Sequence, residues 1–437
     1  APTACMLSPR PHPKKHSRPA ASLASNDPRA GAPSDRSHFV VLCAFVPTLS
    51  HKTAWTGRKT LCSSGKLRCN ERVDPSHIKQ RFAELRDPRV DRTKRHQLGD
   101  IIVIAILAVI SGSDGWDDIV DFAPVRESWL RTFLDVPNGI PCADTFRRVF
   151  SALDPQQFGR CFGQFVAELC GHVEGKLVCI DGKTMRRTFA RERGQGPLHV
   201  VSAWVAENAV TLGQVVVDAK SNEIVAIPEL LAMLEIKGAT VSIDAAGCQR
   251  KIAQVIIDKE AHYLLSLKDN QPLLRQEVVS YFDDALSSGV ELPHHQSVDK
   301  GHGRLEVRRV WTSSDVGWMS VRKRWKGLRS LVMVERERQL GEKTSKERAY
   351  FLSSQVFDRA ERAGQLARGH WGIENGLHWV LDMGFDEDHS RIRQRRAAQN
   401  FALLRKLALS LLKNEPTDGK KSVARKRKRA GWDHDYL

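Results

Sequence analysis

Hydrophobic and polar positions recur with different periods along the chain, and these periods divide it into regions. From residue 177 to residue 286, short apolar runs rich in β-branched side chains alternate with segments of helical period, as strands and helices do in an α/β fold. The runs predict strands at 177–181, 200–206, 211–217, 239–244 and 262–268, and helices at 227–234, 249–259 and 271–286. The predicted order of elements is therefore β-β-β-α-β-α-β-α.

The first 75 residues show no sustained period. They are rich in Pro, Ser, Arg and Lys, and such a composition buries too little apolar surface to offset the entropy of ordering. The apolar stretch 39–49 is broken by Pro47 and is shorter than a membrane span. We therefore predict a disordered leader over residues 1–75.

Helical periods follow the leader. Apolar positions at 98–111, 116–122 and 125–134 predict an all-α N-terminal domain over residues 76–170, with DNA binding as its expected role. Pro and Asp ahead of another amphipathic run mark a helix start that places Arg147 and Arg148 in its first turn. These two arginines are interpreted either as DNA contacts or as an ordinary surface pair.

The last third of the chain begins with strands and ends with helices. Short β-rich runs among charged turns predict a β-rich insertion at about 290–355, within a catalytic domain that extends over residues 171–413. One helix is expected at 359–383 and another at 401–412. The lysines and arginines of residues 414–437 predict a solvated basic tail that contacts phosphate without reading sequence.

Charge and cysteine usage limit the possible partners and compartments. A formal net charge of +17 and a pI near 9.6 favour a polyanionic partner, nucleic acid first, although many basic proteins are merely soluble. The nine cysteines form no Cys-x-x-Cys pair. Their scatter argues against a zinc module or a disulfide framework and favours free thiols in a reducing, cytoplasmic compartment.

Two predicted strands end in an acid. Asp181 follows an apolar run that ends at Ile180, and Asp244 follows one that ends at Ile243. Because neighbouring carboxylates repel each other unless a cation lies between them, we expect a divalent-metal site, with the distant Glu374 as its third ligand. Phosphodiester chemistry commonly uses two such ions, Mg²⁺ or Mn²⁺. The alternative for Asp181, which precedes a glycine, is a simple turn.

Other polar side chains lie near these acids in the predicted fold, and we treat them as candidate DNA contacts. They are Lys183, Lys268, Gln271, His302, Arg304, His370 and His378. Glu374 and the last two histidines share a helix face with Asp382, a spare ligand candidate. Since no His-Glu-x-x-His motif is present, zinc is not expected. Exposed strand-end and hairpin positions remain the plain alternatives for Lys183 and Arg304.

The predicted order of elements is that of the ribonuclease H-like fold, in which the first and fourth strands lie side by side. The motifs resemble the DDE insertion-sequence transposases of the H-repeat-associated type, a branch of the ribonuclease H-like recombinases. The matching segments are Ile180-Asp181-Gly182-Lys183, Lys220-Ser221-Asn222-Glu223-Ile224, Asp244-Ala245-Ala246-Gly247-Cys248-Gln249, Leu267-Lys268-Asp269-Asn270-Gln271, Gly301-His302-Gly303-Arg304 and His370-Trp371-Gly372-Ile373-Glu374-Asn375-Gly376-Leu377-His378-Trp379. The resemblance covers about residues 78–413.

This resemblance implies an enzyme that cleaves double-stranded DNA at element ends and transfers strands, with Asp181, Asp244 and Glu374 as the metal triad. It also implies a homodimer on paired DNA ends and a bacterial, nucleoid-associated location. Two alternatives remain: a structure-specific nuclease on the same fold, and a catalytically silent, domesticated DNA-binding protein.

The sequence departs from related cut-and-paste enzymes around the helical Glu. Those enzymes carry Tyr, Arg and Lys seven and four residues before it and seven after it. Here these positions hold Ala367, His370 and Leu381. Phosphate handling and hairpin chemistry are therefore expected to differ from those enzymes.

Overall fold

The computed structural model describes residues 75–437, apart from 218–220, His302 and Lys420. Residues 1–74 of the predicted leader lie outside the described residues. Within the described part, nine strands form one mixed sheet, so the α/β class is confirmed. The strands are β1 Leu177–Met185, β2 Leu198–Val205, β3 Val210–Val217, β4 Thr240–Ile243, β5 His262–Leu267, β6 His294–Gly301, β7 Arg304–Ser313, β8 Ser330–Leu340 and β9 Lys343–Ser353.

The order of strands across the sheet is β3-β2-β1-β4-β5-β9-β8-β7-β6. Strand β1 pairs antiparallel with β2 and parallel with β4, and β4 pairs parallel with β5. The first and fourth strands are thus neighbours, as the sequence predicts. Ile180 is paired with Ile243, so Asp181 and Asp244 follow on adjacent strands at the same level of the sheet.

Strands β6–β9 occupy the region of the predicted β-rich insertion. Because β9 pairs antiparallel with β5, they extend the central sheet. Strands β8 and β9 are longer than the apolar pattern predicts, and β6 was not predicted at all. The reason is that β6 contains a single aliphatic residue, Val298, and its side chains alternate without a hydrophobic face.

The helices cover the sheet and form the N-terminal region. The helices before β1 are α1 Pro75–Arg81, α2 Leu98–Ile110, α3 Trp116–Val125, α4 Glu127–Leu130, α5 Ala143–Ala152 and α6 Pro155–Cys170. Those between β1 and β9 are α7 Glu223–Ala232, α8 Arg250–Asp258 and α9 Pro272–Ser287. Those after β9 are α10 Ala360–His370, α11 Trp379–Phe385, α12 Arg395–Asn414 and α13 Val423–Trp432. Among the described residues, none of these helices has both the length and the apolar character needed to cross a bilayer.

Helix α12 joins the N-terminal helices to the sheet. It contacts α2, α5 and α6 on one side and β3 on the other. Asn400 lies in this contact, where its amide nitrogen donates to the carbonyl oxygens of Phe150 at 2.8 Å and Leu153 at 3.2 Å. One hydrophobic core therefore runs from Ile78 to Ala430. The separate helical domain at 76–170 stays a prediction.

The basic C-terminal segment is folded, and the expectation of a solvated tail was wrong. Helix α13 buries Lys426 and Arg427. The guanidinium of Arg427 donates to the carbonyl oxygen of Val109 at 2.9 Å, pairs with Asp114 at 3.0 Å and stacks on Phe385 at 4.2 Å. Since Val109 lies in the last turn of α2, this cation satisfies carbonyls that a helix C-terminus leaves without partners.

Candidate metal centre

Asp181 and Asp244 lie side by side, because the residues that precede them, Ile180 of β1 and Ile243 of β4, are paired in the sheet. Asp181 is mostly buried, and Asp244 accepts a hydrogen bond from the backbone N–H of Gly247 at 3.3 Å. Burial raises the pKa of Asp181 to about 7, and the negative charges of Asp244, Glu223 and Glu374 act in the same direction. The fold therefore concentrates negative charge around a carboxyl group that water solvates poorly.

The third acid comes from an interrupted helix. The sequence predicts one helix over 359–383, but a π-helical segment, Glu374–His378, separates α10 from α11. Its hydrogen bond runs from the backbone N–H of Trp379 to the carbonyl oxygen of Glu374, five residues earlier. Such π-bulges are rare overall, but those that occur are frequently found at functional sites. This one lies at the residue that the sequence selects as a metal ligand.

Glycines bring this helix close to the sheet. A Cβ atom on Gly376 would come within 2.6 Å of the Trp204 indole on β2, and one on Gly369 within 2.5 Å of Leu177 on β1. Neither approach is possible for a residue with a side chain unless its neighbour moves. The close packing allows Glu374 to reach Asp181, which lies in the middle of β1.

His378 links two of the acids. Its Nδ1 atom lies 3.4 Å from Asp181 Oδ2 and 3.3 Å from Glu374 Oε2. Burial lowers the pKa of His378 to about 3, with the charges of Lys406 and Lys183 acting in the same direction. The imidazole is thus neutral at neutral pH, and it offers a nitrogen lone pair or a single N–H instead of a positive charge.

The donor set suits a divalent cation. Asp181, Glu374 and His378 each offer one ligand atom, and these atoms lie within 4.8 Å of one another. The two carboxylate oxygens are donors that Mg²⁺ and Mn²⁺ prefer, whereas the imidazole nitrogen is more typical of transition-metal sites. A cation would also stabilise the ionised form of Asp181, whose pKa is raised first by burial and then by the neighbouring acids. Asp244 is outside this group of three, although its charge acts on Asp181. His378, predicted as a DNA contact, is buried beside Asp181 and Glu374.

Lys183 has protein partners in the structure. Its ammonium group lies 2.6 Å from Asp382, 3.0 Å from Asp388 and 3.5 Å from Glu387. Asp382, the spare ligand candidate, is therefore paired with a lysine. The cluster ties β1 to α11 and to the segment after it, so the phosphate contact expected of Lys183 has no support in this arrangement.

Two other predicted contacts lie on the Asp244 side. Burial lowers the pKa of His370, which is near Asp244, and its Nδ1 atom has no hydrogen-bond partner among the described residues. Lys268 is exposed just after β5. Gln271 is half-buried, and its amide donates to the carbonyl oxygen of Cys248 at 3.2 Å.

The remaining predicted contacts lie on other elements. Arg304 begins β7, half-exposed, with its Nε atom 3.7 Å from Glu306. Arg147 and Arg148, in α5, are more than one-third exposed, and both lie near Asp144. His302 lies outside the described residues.

Sequence reasoning missed a polar pair beside the acids. Glu223, at the start of α7, lies 2.6 Å from the Nε2 atom of His199, whose Nδ1 atom is 2.7 Å from the hydroxyl of Thr184. Both residues line a cavity of about 650 Å³ that Asp244 and Arg395 also line. Glu223 belongs to one of the matching motifs, which was the available signal, but the motif gave it no role.

Comparisons with known proteins agree with the sequence motifs. Residues 173–411 match the family described as "Transposase DDE domain", and residues 79–166 match the family "DDE_Tnp_1-associated". The chain is 39% identical to "Putative transposase YncI" of Escherichia coli O157:H7, over 80% of this chain and 90% of that protein. It is 36% identical to "H repeat-associated putative transposase YhhI" of Escherichia coli K12, over 78% and 91%.

A solved structure shows a weaker likeness. The piggyBac transposase synaptic complex with hairpin DNA aligns with 83% of this chain and 80% of its own, at 12% identity and a TM-score of 0.39. That score is too low to support an argument about the fold. The family matches cover more than half of the chain, and the relatives are similar along most of their length. The chain belongs to the DDE transposase family.

Proposed function

We propose that this protein is a transposase that cleaves DNA at the ends of an insertion sequence and joins the new 3′-hydroxyl to target DNA in a metal-dependent reaction. The observation that carries the proposal is that Asp181, which is beside Asp244 on the adjacent strand, lies within ligand distance of the helical Glu374. Strands β3-β2-β1-β4-β5 have the order of a ribonuclease H-like core. We include that core in the proposal, with β6–β9 as its insertion.

Asp181, Asp244 and Glu374 are the proposed metal ligands, with His378 as a further donor or an orienting group. When bound, a pair of divalent ions supplies an activated water or 3′-hydroxyl and stabilises the leaving oxygen. Asp181 has to lose its proton to bind a cation. His378 stays neutral at the same pH, so it holds the two neighbouring carboxylates without neutralising either of them.

Double-stranded DNA is the proposed partner. The net charge of +17 supports binding to phosphates, and the exposed Lys268, Arg304, Arg147 and Arg148 remain candidate contacts. A homodimer on paired element ends and a nucleoid-associated, cytoplasmic location belong to the same proposal, because they follow from the family resemblance.

A catalytically silent DNA-binding protein is the second candidate, and one observation favours it. Ala367 and Leu381 occupy positions where related cut-and-paste enzymes carry Tyr and Lys, and both are buried. Neither side chain can contact a phosphate. One relative of this chain, 48% identical over 56 residues, is named "Inactive transposase YbfQ".

A strand-transfer assay distinguishes the candidates. The substrate is DNA that carries the element's own terminal repeats, and the reaction contains Mg²⁺. We expect Asp181→Asn, Asp244→Asn and Glu374→Gln each to reduce joined product by more than about 100-fold, because even outer-shell metal partners contribute about 10- to 100-fold. The exposed Asp91→Asn, whose side chain is 95% accessible, is the matched control and retains activity.

The wild-type result decides between the classes. Joined product that disappears in all three variants supports the transposase. Cleavage without joining would support a nuclease, and DNA binding without chemistry in the wild-type protein would support the silent protein.

A further inference from the structure

Arginines are concentrated in two short segments near the candidate metal centre. The loop between β1 and β2, residues 186–197, contains four arginines and one glutamate, and the segment 390–396 contains four arginines and no acid. Together they carry +7 of the formal net charge of +17. The motifs that identify the family lie outside both segments.

The two segments lie side by side. Met185 and Leu198, which flank the loop, are paired between β1 and β2. Both belong to a small apolar cluster with Ala398 and Ala402 of α12, and Ile392 packs against this cluster. The loop and the segment before α12 therefore form one surface. We call its exposed side chains the arginine patch, which consists of Arg186, Arg187, Arg191, Arg391, Arg393 and Arg396.

The fold holds the second segment in place. Ile392 faces the apolar cluster, so Arg391 and Arg393 on either side of it are exposed. Gln394 accepts a hydrogen bond from the backbone N–H of Ala397 at 2.6 Å and donates to the carbonyl oxygen of Ser151 at 3.4 Å. A ligand that binds these arginines therefore meets a backbone that is already ordered, which lowers the entropy cost of binding.

Most of the patch is not neutralised by acids. In the described part of the chain, no carboxylate oxygen lies within 4.0 Å of four of its guanidinium groups, those of Arg187, Arg391, Arg393 and Arg396. Arg186 lies 3.3 Å from Asp388, which also pairs with Lys183. In contrast, the arginines of β7 pair with acids such as Glu306 and Glu335. Exposed cations at this density attract a polyanion.

The patch adjoins the sheet edge where the acids lie. Arg395, at the start of α12, lines the cavity of about 650 Å³ that Asp244 also lines, and Gly196 and Pro197 of the loop complete that side. The guanidinium of Arg395 donates to the carbonyl oxygen of Val217 at 3.2 Å. A polyanion bound to the patch would thus continue into the cavity beside Asp244.

We propose that the arginine patch docks target DNA, as a duplex of arbitrary sequence, next to the metal centre. This inference rests on the proposed function. Contacts to phosphates position a protein on DNA without reading its sequence, whereas base contacts specify. In segment 390–396 only arginines are exposed, and the one amide side chain, Gln394, caps α12. Such a surface suits target DNA better than an element end, which has to be recognised by its sequence.

The test measures binding of a labelled random-sequence duplex by fluorescence anisotropy over a series of salt concentrations. The patch variant combines Arg391→Gln, Arg393→Gln and Arg396→Gln. We expect it to bind at least about 10-fold more weakly at about 0.1 M salt. The dependence of log K on log salt should become less steep by about 0.9 for each phosphate contact that is lost.

A control variant removes the same charge elsewhere. It combines Arg322→Gln, Lys323→Gln and Arg324→Gln, three exposed cations in a single turn before β8. The start of β8 pairs with the end of β9, which pairs near the start of β5, so this turn lies at the sheet edge opposite the acids. Exposed charges that far from the bound DNA are screened, and we expect a change of less than about 2-fold.

Two further measurements separate docking from folding and from end recognition. Lysine at the same three patch positions keeps the charge and should retain most of the affinity, and the melting temperature of each variant is compared with wild type. Binding to terminal-repeat DNA is measured with an excess of random DNA, so that it reports sequence-specific binding alone. The patch variant should keep this binding and cleave element ends, but join less product to target DNA.

Each outcome supports or overturns the proposal. Unchanged affinity in the patch variant, or an equal loss in the control, would overturn it, because net charge alone would then explain binding. A loss confined to terminal-repeat DNA would also overturn it and would indicate element ends as the occupant. A wild-type protein that binds random DNA through the patch but produces no cleavage or joining would count against the proposed function and not against the docking surface.

Discussion

Asp181 is a carboxyl group in a site that disfavours its charge. Burial and three neighbouring acids raise its pKa to about 7, far above the ordinary value near 3.8. In the unfolded chain, Asp181 ionises without this penalty. Folding with Asp181 ionised therefore costs free energy, and a bound cation would offset that cost. Metal binding and stability should therefore be coupled through this residue.

The first prediction concerns pH and Asp181→Asn in metal-free protein. A carboxyl group whose folded pKa is raised contributes stability below about pH 4 and loses it as pH rises through about 7. We expect the variant to match wild type near pH 3 and to be more stable by about 1–4 kcal/mol at pH 8, since one pKa unit corresponds to about 1.4 kcal/mol. Denaturant unfolding at each pH measures this difference.

The comparison of variant with wild type removes the contributions of groups that do not interact with Asp181. His378, with its pKa lowered to about 3, acts in the opposite direction, because its neutral form loses stability as pH falls below 6.5. Because His378 contacts Asp181, its titration is fitted separately for each protein. Adding Mg²⁺ at pH 8 should raise the melting temperature of wild type more than that of Asp181→Asn. A difference that is independent of pH would contradict the raised pKa.

At the residue scale the sequence finds the acids and misses their partners. Asp181 and Asp244 are recognisable because each ends an apolar run of the sequence, although β1 itself continues past Asp181 to Met185. Glu374 required the family motif. The contact of His378 with two acids depends on the π-helical segment, and the pair of Glu223 with His199 depends on how α7 docks. Neither arrangement leaves a periodic signal.

The helix that carries Glu374 is held by its glycines. Gly364 meets Val310 of β7, Gly369 meets Leu177 of β1, and Gly372 and Gly376 meet Trp204 of β2. A helix with larger side chains at these positions would stand further from the sheet. The same contacts fix the depth of Glu374 and the outward direction of Trp371.

The second prediction tests that packing with Gly376→Ala. The added methyl group would lie 2.6 Å from the Trp204 indole, so the helix or the indole must move. We expect a loss of about 1–3 kcal/mol in the free energy of unfolding and weaker Mg²⁺ binding. Denaturant titration and calorimetry measure the two effects.

Gly384→Ala is the matched control on the same helix. Its methyl group would meet Val380 at 3.7 Å, an ordinary contact, so helix propensity should make it neutral or slightly stabilising. Equal destabilisation by both substitutions would mean that backbone freedom, and not contact with Trp204, explains the glycine.

Elements with a hydrophobic period are the ones that the sequence predicts well. The hairpin at 200–217 appears as β2 and β3, and the helix predicted at 271–286 is α9. The sequence does not predict strand β6, because pairing with β7, and not apolar residues of its own, holds it in the sheet. The sequence does not predict the break at Glu374, because the apolar residues on either side of the π-helical turn keep nearly the spacing of an α-helix.

At the scale of the whole molecule, α12 and α13 fasten the N-terminal helices to the sheet. Arg427 is central to this arrangement, since its guanidinium bonds to Val109 in the last turn of α2 and to Ser113 and Asp114 just after it. The sequence favoured a solvated tail because a run of lysines and arginines normally stays in water. Here Arg427 is buried instead, because it donates to the carbonyl oxygens of Val109 and Ser113 at the end of α2.

The third prediction compares Arg427→Ala with Arg425→Ala. The first leaves buried carbonyls and Asp114 without their partner and should cost about 3–5 kcal/mol of unfolding free energy. The second removes an exposed cation from the same helix and should change stability by less than about 0.5 kcal/mol. Thermal or denaturant unfolding compares them directly, and similar losses in both variants would refute the buried anchor.

The position of α12 late in the chain has a consequence for synthesis. A ribosome releases Asp181 and Asp244 long before Arg395–Asn414, yet α2, α5, α6 and β3 all pack on that last long helix. A nascent polypeptide of this design stays incomplete until α12 has left the ribosome. Frameshifts or nonsense codons upstream of α12 would thus yield fragments that lack the helix on which α2, α5, α6 and β3 pack.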